Sequence, residues 1–545
     1  TISITAGDDY KKISGGAYIV DVTNESHYQQ LFADIQSDGI KISKIVHLLL
    51  LTEEQRATYF AHESFLYLGK ALNKNDITDL IEIYAVTNKL EDITGSDEVD
   101  RYKSLITGPS RVMPYEYYNI SFKIIDIILP KGNNDKLVSD LYDEILYPSD
   151  EYFVALRGKT RWSKDFCPIN LPSSEKEKLP LHENGVYVVT GGLGGMGLTM
   201  AEYLSEYKAK IILVTRSVFP PNEEWEKISN DSNEKESRRD IVLKLLAMEE
   251  RGSEVKILTA ELSNQQEVAW LISETKELYG SINGVFHCAG LNDGAVIPET
   301  NKELTAKVFG PKIEGTENIY KAIKNESVEF FILCSSLSAV TSAMGGVDYV
   351  SANAFQDYFA NTYNSEDLFI ASINWDIWED VGMIKRNNLE SSVKKDGIDA
   401  YIYPDQGLEV FLRVLQNSLS QVLVSTRNFS YLNEKNKTLN QLSYNTEADS
   451  KEEGPIDHTY DRPNLTSAYA PPQTDEEKTL TEIWEQVLRV SKVGIYDNFF
   501  ELGGGSLMGI QIIAKAKQAG LIIQPKQLYS DPTIHAICKA IATNK

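Results

Sequence analysis

Residues 185–197 read Gly185-Val186-Tyr187-Val188-Val189-Thr190-Gly191-Gly192-Leu193-Gly194-Gly195-Met196-Gly197. β-Branched residues predict a strand, the glycines a tight turn, and Met200, Ala201 and Leu204 the apolar face of a following helix. Such a strand–turn–helix unit can hold a dinucleotide, because glycines let backbone amides close on a pyrophosphate and the helix N-terminus favours its charge. A tight turn without a ligand also asks for glycine, so other residues must separate the two possibilities.

Around this stretch the chain alternates strands and helices. Strands are predicted at Lys210–Thr215, Glu254–Leu262, Gly284–Ala289, Phe330–Cys334 and Leu368–Asn374, with helical segments such as Ile241–Glu250 and Val268–Glu277 between them. That is a parallel, Rossmann-type order, with ligands expected at the carboxyl ends of the strands. Upstream, strands are predicted at Ala17–Val20, Ile45–Leu51, Ile81–Thr87, Phe122–Ile128 and Tyr152–Leu156, with a helix over Glu63–Leu72. No glycine fingerprint opens a helix there, so this half is expected to be structural and without cofactor. Downstream, 434–473 is rich in Asn, Ser, Thr, Glu, Asp and Pro and reads as a flexible linker. Glu476–Val490 regains a helical stripe (Leu480, Ile483, Trp484, Val487, Leu488) and opens a small helical unit.

The 545 residues predict two to four domains. A net charge of −25 argues against a nucleic-acid binder, and no apolar run is long enough to cross a bilayer. Cys167, Cys288, Cys334 and Cys538 form neither a CxxC pair nor a disulfide framework, and the histidines do not cluster as metal ligands. A reducing, cytoplasmic setting is expected. Thr1 and the lack of a signal-peptide pattern suggest a piece of something larger.

Several strand ends carry candidate chemistry. Arg216-Ser217 follows the second strand, where an acidic residue would suit NAD and a basic one the 2′-phosphate of NADPH; the alternative is an ordinary surface arginine. Glu261-Leu262 is a candidate for the adenine side. His287-Cys288-Ala289-Gly290 ends the fourth strand with small residues that let a cofactor sugar approach the backbone; Cys288 and Cys334 read as small core residues. Ser336 closes the next strand, and Tyr349 and Asn353 lie one helical turn apart.

Together these residues resemble a short-chain dehydrogenase/reductase and, more narrowly, the ketoreductase region of a modular polyketide synthase or hybrid nonribosomal peptide synthetase. The resemblance covers nearly the whole chain and is carried by Thr190–Gly197, His287–Gly290, Pro311-Lys312, Ser336, Tyr349-x-x-x-Asn353 and Asn374-Trp375. Most of the superfamily has lysine four residues after the tyrosine. Here Asn353 stands there, and Lys312 matches the displaced lysine of the polyketide ketoreductases. Gly108–Val112 and Arg157-Gly158-x-x-Arg161-Trp162 resemble the truncated, cofactor-free structural subdomain of those enzymes. The resemblance implies Tyr349 as proton donor, Ser336 on the carbonyl oxygen, Lys312 tuning Tyr349 and contacting the cofactor ribose, and Asn353 ordering the lysine or a relay water. Chemically, tyrosine with a pKa of ~10 needs a nearby ammonium to serve at neutral pH.

Asp497-Asn498-Phe499-Phe500-Glu501-Leu502-Gly503-Gly504-Gly505-Ser506 resembles an acyl or peptidyl carrier domain, with Ser506 accepting 4′-phosphopantetheine; the family usually has a polar residue where Gly505 stands. An acidic carrier face docking on basic residues of the reductase is the expected contact. The architecture expected is α/β, with two Rossmann-like doubly wound parallel sheets and a small four-helix carrier domain. Its parts are a truncated structural subdomain (1–183), a catalytic subdomain binding NADPH (184–433), the linker (434–473) and the carrier (474–545).

The resemblance implies reduction of a carrier-bound β-ketoacyl thioester, with a phosphopantetheinyl transferase and neighbouring synthase domains as partners. An α-ketoacyl substrate in a depsipeptide-forming synthetase, or a silent reductase kept as scaffold, remain as alternatives. For stereochemistry, Leu291-Asn292-Asp293 partly matches the Leu-Asp-Asp signature of one ketoreductase type. Thr341 replaces the tryptophan of the other, so Asp293 is the stereocontrol candidate.

Overall fold

The computed structural model describes residues 1–379, 401–429 and 460–543, apart from 14, 52–57, 78, 118, 130, 131, 133, 148, 150, 232, 233, 293, 342–344, 428, 463, 464, 466, 489, 500, 501, 503–505, 522, 524–526 and 529–531. Among the described residues up to 423, three sheets organise the chain.

A small sheet joins β1 (Ser3–Ala6), β2 (Lys11–Ile13) and β3 (Ala17–Val20) in the order β1-β3-β2. The predicted first strand therefore belongs to a separate sheet. The next sheet comprises β4 (Lys44–His47), β5 (Ile81–Asn88), β6 (Ile120–Ile127), β7 (Phe153–Arg157) and β8 (Thr160–Ser163), in sequential order. Its first four strands are parallel; β8 returns antiparallel, because Gly158 at φ +61° allows a two-residue hairpin. The predicted strand over Ile45–Leu51 stops at His47, and Leu49–Leu51 form a 3₁₀ turn.

The third sheet is formed by β9 (Val186–Thr190), β10 (Lys210–Thr215), β11 (Glu254–Thr259), β12 (Gly284–His287), β13 (Phe330–Ser336), β14 (Phe369–Trp375) and β15 (Gln421–Leu423). All are parallel, in the order β11-β10-β9-β12-β13-β14-β15. The order reverses at β9, so a crevice opens beside the carboxyl end of the strand with which the chain was first read.

An all-parallel sheet must be covered on both faces, and the strand residues divide accordingly. Val186, Val188, Ile212, Val214, Phe331 and Leu333 enter one core, whereas Tyr187, Val189, Ile211, Leu213, Phe330 and Ile332 enter another. The first core continues without a break into Phe65, Leu105, Val112, Ile83 and Phe122 of the N-terminal half. The two halves are thus welded through one hydrophobic core, and the helix Val347–Tyr363 lies at the weld.

Its packing there is close. A Cβ on Gly108, in the helix Thr107–Glu116, would lie 2.1 Å from Ser351 Oγ and 2.3 Å from the Val347 carbonyl oxygen. Because one obstacle is backbone, Gly108→Ala should cost about 1–3 kcal/mol. The expected result is a fall in Tm of about 3–10 °C in a thermal melt.

After residue 460, helices Asp475–Leu488, Ser506–Gln518 and Ile534–Thr543 enclose their own core around Leu480, Trp484, Phe499 and Ile537. The predicted helix through Val490 ends at Leu488, and Val490-Ser491 pair instead with Tyr460-Asp461 as a two-residue parallel ladder. No helix among the described residues is long and apolar enough to cross a membrane.

Candidate active site

The glycine turn lies at the sheet's switch point. Gly191 has φ +64°, and a Cβ there would stand 2.9 Å from the Ala289 nitrogen on the neighbouring strand's extension. A Cβ on Gly197 would stand 2.6 Å from the Gly191 carbonyl oxygen, so strand, turn and helix close up only with glycine. The helix Gly195–Leu204 begins after Gly194 with no side-chain cap and no carboxylate in its first turn. Its orphan N–H groups and positive dipole end are thus available to an anion, while Leu193, Gly194, Gly195 and Met196 stay partly exposed. These features fit the pyrophosphate of a dinucleotide.

Other predicted cofactor residues fall around this cradle in different ways. The ladder places Val214 beside Thr190, which brings exposed Arg216 and Ser217 to the edge of the glycine turn. Gly192 N–H donates to the Val214 carbonyl, and Gly192 itself is buried. The side chains of Thr190 and His287 point inward: both are fully buried, with Thr190 Oγ1 2.6 Å from His287 Nδ1. Burial, then the charge of Lys312, pushes the His287 pKa down to about 3, so it stays neutral and ties β9 to β12. Leu262 is also a core side chain, and the Glu261 carboxylate accepts from Ser263 in its own turn. Ala289 N–H donates to Thr190 Oγ1, and Gly290 leaves room for Lys312, whose Cε would be 2.6 Å from a Cβ there.

Lys312 sits on a π-helical turn, Gly310–Glu314, between helices Lys302–Phe309 and Gly315–Ile323. Pro311 has no N–H to continue an α-helical ladder, and the widened turn directs the lysine into the protein. Nζ donates to the Cys334 carbonyl (2.8 Å) and to Gln356 Oε1 (2.9 Å). Two of its three donors are thereby used and one remains. Gln356 is held by its own donation to Thr316 Oγ1 at 3.1 Å. Burial lowers the Lys312 pKa to about 8.

Ser336 ends β13. Its Oγ accepts from the Ser338 hydroxyl (2.9 Å) and amide (3.3 Å), and its side chain also hydrogen-bonds Tyr349. Tyr349 lies in the first turn of Val347–Tyr363, with Lys312 Nζ 5.8 Å from its ring centroid. Asn353 Nδ2 donates to the Tyr349 carbonyl at 2.7 Å, and Asn353 Oδ1 is buried without a partner among the described residues. The structure thus brings Lys312, Ser336, Tyr349 and Asn353 together at the carboxyl ends of β12 and β13. The expected lowering of the tyrosine pKa is not found. Burial raises it and outweighs hydrogen bonding to Ser336 and Asn353, while the lysine faces the ring and gives two of its donors to the Cys334 carbonyl and Gln356.

A buried polar layer lies beneath this group. Asp357 accepts from Ser372 Oγ (2.6 Å) and Asn374 Nδ2 (2.7 Å), and Asn374 Nδ2 also reaches Ser335 Oγ and the Ser336 carbonyl, both at 3.1 Å. Burial lifts the Asp357 pKa to about 6. The sequence reading singled out Asn374 but missed Gln356 and Asp357, which follow Asn353 on the same helix and look like ordinary polar positions. Cys288 and Cys334 stand with sulfurs 3.2 Å apart; Cys334 is buried and Cys288 partly exposed. Asp293 lies outside the described residues.

In the C-terminal unit Ser506 begins the helix Ser506–Gln518; Gly503, Gly504 and Gly505 lie outside the described residues. Asp497 receives Arg462 at 2.7 and 2.8 Å, Ser467 Oγ at 2.9 Å and Gly494 N–H at 2.7 Å, which ties the Gly494–Asp497 turn to Arg462 and Ser467. Phe499 packs edge-on against Trp484 with ring centroids 5.4 Å apart. The Ser506 helix carries no carboxylate and ends in Lys515 and Lys517.

Comparison with known proteins gives matches to both units. Residues 185–380 match the KR domain family and residues 478–541 the phosphopantetheine attachment site family. Polyketide synthase PksN of Bacillus subtilis is 27% identical over 464 residues, covering 83% of this chain and 8% of that protein. The 6-methylsalicylic acid synthase of Penicillium patulum is 31% identical over 215 residues, covering 39% of this chain and 12% of that protein. The chain thus spans about a tenth of the length of these relatives.

Among solved structures, an N-terminal ketoreductase from the macrolactin assembly line superposes with TM-score 0.64 at 24% identity, over 80% of this chain and 83% of that one. The adenylation, ketoreductase and pseudo Asub structure of a keto acid-selecting NRPS module superposes with TM-score 0.68 at 19% identity, over 80% of this chain and 36% of that one. These likenesses establish the fold. The chain thus joins a KR domain, over residues 185–380, to a phosphopantetheine-attachment carrier domain, over residues 478–541.

Proposed function

We propose that this chain reduces a β-ketoacyl thioester, carried on a 4′-phosphopantetheine arm at Ser506, to the β-hydroxyacyl thioester at the expense of NADPH. The observation that carries the reading is the convergence of Lys312, Ser336, Tyr349 and Asn353 at the strand ends beside the glycine cradle. NADPH supplies the hydride. As negative charge gathers on the carbonyl oxygen, the Ser336 hydroxyl donates a hydrogen bond to it and Tyr349 transfers a proton. A tyrosine pKa raised by burial keeps that proton in place until it is needed. Lys312 directs its remaining donor to a ribose hydroxyl, and the unpartnered Asn353 Oδ1 accepts from a relay water that replenishes Tyr349.

The arm at Ser506 is installed by a phosphopantetheinyl transferase, and neighbouring synthase domains supply the ketoacyl group and take the product. Tethering presents the thioester at an effective concentration of ~mM, so docking need not be tight. The assay is NADPH oxidation with β-keto and α-keto thioesters in parallel. A higher kcat/KM for the α-keto compound would move the reading to a depsipeptide-type substrate, and no turnover with either would leave the reductase as a scaffold.

Exposed Arg216 at the edge of the turn supports NADPH over NADH. Losing one charge-assisted pair with a 2′-phosphate costs about 1.5–3 kcal/mol. Arg216→Ala should therefore raise KM for NADPH about 10- to 100-fold and leave KM for NADH unchanged; equal effects on both would exclude this role.

A further inference from the structure

The helix Thr107–Glu116 belongs to the half without a cofactor cradle, yet its last residue reaches the reductase centre. Glu116 is buried at 6% exposure. One carboxylate oxygen accepts from the Ile297 amide at 2.7 Å and the other from the Gly345 amide at 3.2 Å. Those amides belong to the two segments flanking the proposed proton donor. Ile297 follows Gly290, which packs on Lys312; Gly345 precedes Gly346, whose carbonyl accepts the Val350 amide in the first turn of the Tyr349 helix. The segments also touch each other: Gly346 N–H donates to the Ala295 carbonyl, and a Cβ on Gly346 would be 3.1 Å from Asn292 Oδ1 and 3.6 Å from Tyr349 Cβ. Tyr115 adds a longer bond, its hydroxyl 3.4 Å from the Thr341 carbonyl.

We infer that Glu116 is a positioning residue for the reduction: its carboxylate clamps the 294–297 and 345–346 segments together and so sets where Tyr349 stands relative to the carbonyl it protonates. The inference rests on the ketoreductase reading above. Only a carboxylate offers two acceptor oxygens to two converging amides; an amide offers one acceptor and one NH₂ that opposes a donor. Charge-assisted bonds to backbone N–H are the strong kind, so this bridge outlasts side-chain packing alone as a constraint on the two segments.

The groups facing the carboxylate are the two amides, Glu299 and Tyr117. Burial, with Glu299 adding repulsion, lifts the Glu116 pKa to about 7; the Tyr117 hydroxyl is itself pushed up by burial and stays neutral. Arg111, further back on the same helix, is turned onto the Tyr152 ring with its guanidinium carbon 3.3 Å from the centroid. Above pH 7 the clamp is ionised and both oxygens accept; below it, one oxygen carries a proton that cannot oppose an N–H.

The test compares the full-length chain with Glu116→Gln and Glu116→Asp, using a soluble ketoacyl thioester and NADPH. Expected for Glu116→Gln is a fall in kcat of about 10-fold or more, with NADPH affinity unchanged. The limb of the kcat–pH profile that rises through pH 7 in the wild type should vanish. By hydrogen exchange, the Ile297 and Gly345 amides should exchange at least about 10-fold faster. Glu116→Asp retains the charge but is one methylene short, so it should retain the pH limb at reduced kcat; it also serves as the reporter if the glutamine variant fails to bind NADPH. A variant that binds NADPH with wild-type kcat and pH profile, whatever its Tm, overturns the inference. A wild-type chain that turns over no ketoacyl thioester overturns the functional reading with it. Exchange at the two amides distinguishes that failure from failure of the clamp alone.

Discussion

Tyr349→Phe should lower kcat for ketoacyl thioester reduction about 10³-fold while NADPH binding stays within about 2-fold of wild type. A positioned general acid is worth ~10²–10⁴ in rate, and phenylalanine removes only the hydroxyl. The ring keeps its place because its surroundings are set by other groups. Its helix starts at Val347, Gly108 packs against the next turn, and Ser351 Oγ donates to the Leu105 carbonyl at 2.7 Å. His62 adds Nδ1 2.9 Å from Ser351 Oγ and Nε2 2.7 Å from Asp348 Oδ1. The measurement is steady-state NADPH oxidation beside a fluorescence titration of NADPH. A variant that retains more than about a tenth of wild-type kcat would remove Tyr349 from the proton-donor role.

Ser506→Ala should abolish incorporation of phosphopantetheine from coenzyme A, seen as loss of the mass increment after treatment with a phosphopantetheinyl transferase. Reduction of a soluble thioester by the same chain should continue at the wild-type rate, because the reductase centre and the carrier helix have separate cores. Reduction of a tethered substrate should disappear, since the ~mM effective concentration depends on the covalent arm. If the alanine variant still gained the mass increment, another hydroxyl would be the attachment point.

Much of the reductase centre is written locally. Thr190–Gly197 announces a strand, a turn and a helix within a few residues, and backbone sterics leave few other conformations for so many adjacent glycines. Ser336, Tyr349 and Asn353 are legible because a strand end and a helical repeat place them without knowledge of distant partners. Strand registers were harder. Leu49–Leu51 continue an apolar run yet curl into a 3₁₀ turn, and Val490 extends a helical stripe yet pairs with Tyr460, thirty residues upstream. In both, the local pattern is compatible with two structures and packing selects one.

The sequence by itself determined the Rossmann order around Val186–Thr190, the candidate residues at its strand ends, and the pattern around Ser506. Each of these depends on periodicity or on neighbours within a turn or two. Tertiary structure alone decided that the N-terminal half shares a core with the reductase and bears on its Tyr349 helix. It also decided that Gln356 holds Lys312, that His287 and Thr190 turn inward, and that burial governs the Tyr349 pKa. Glu116 and Gly345 are separated by 229 residues, and His62 and Ser351 by 289. A carboxylate or imidazole at such a distance reads locally as a surface residue. Its role appears only when the fold removes it from water and leaves two backbone amides, or a serine and an aspartate, as its partners.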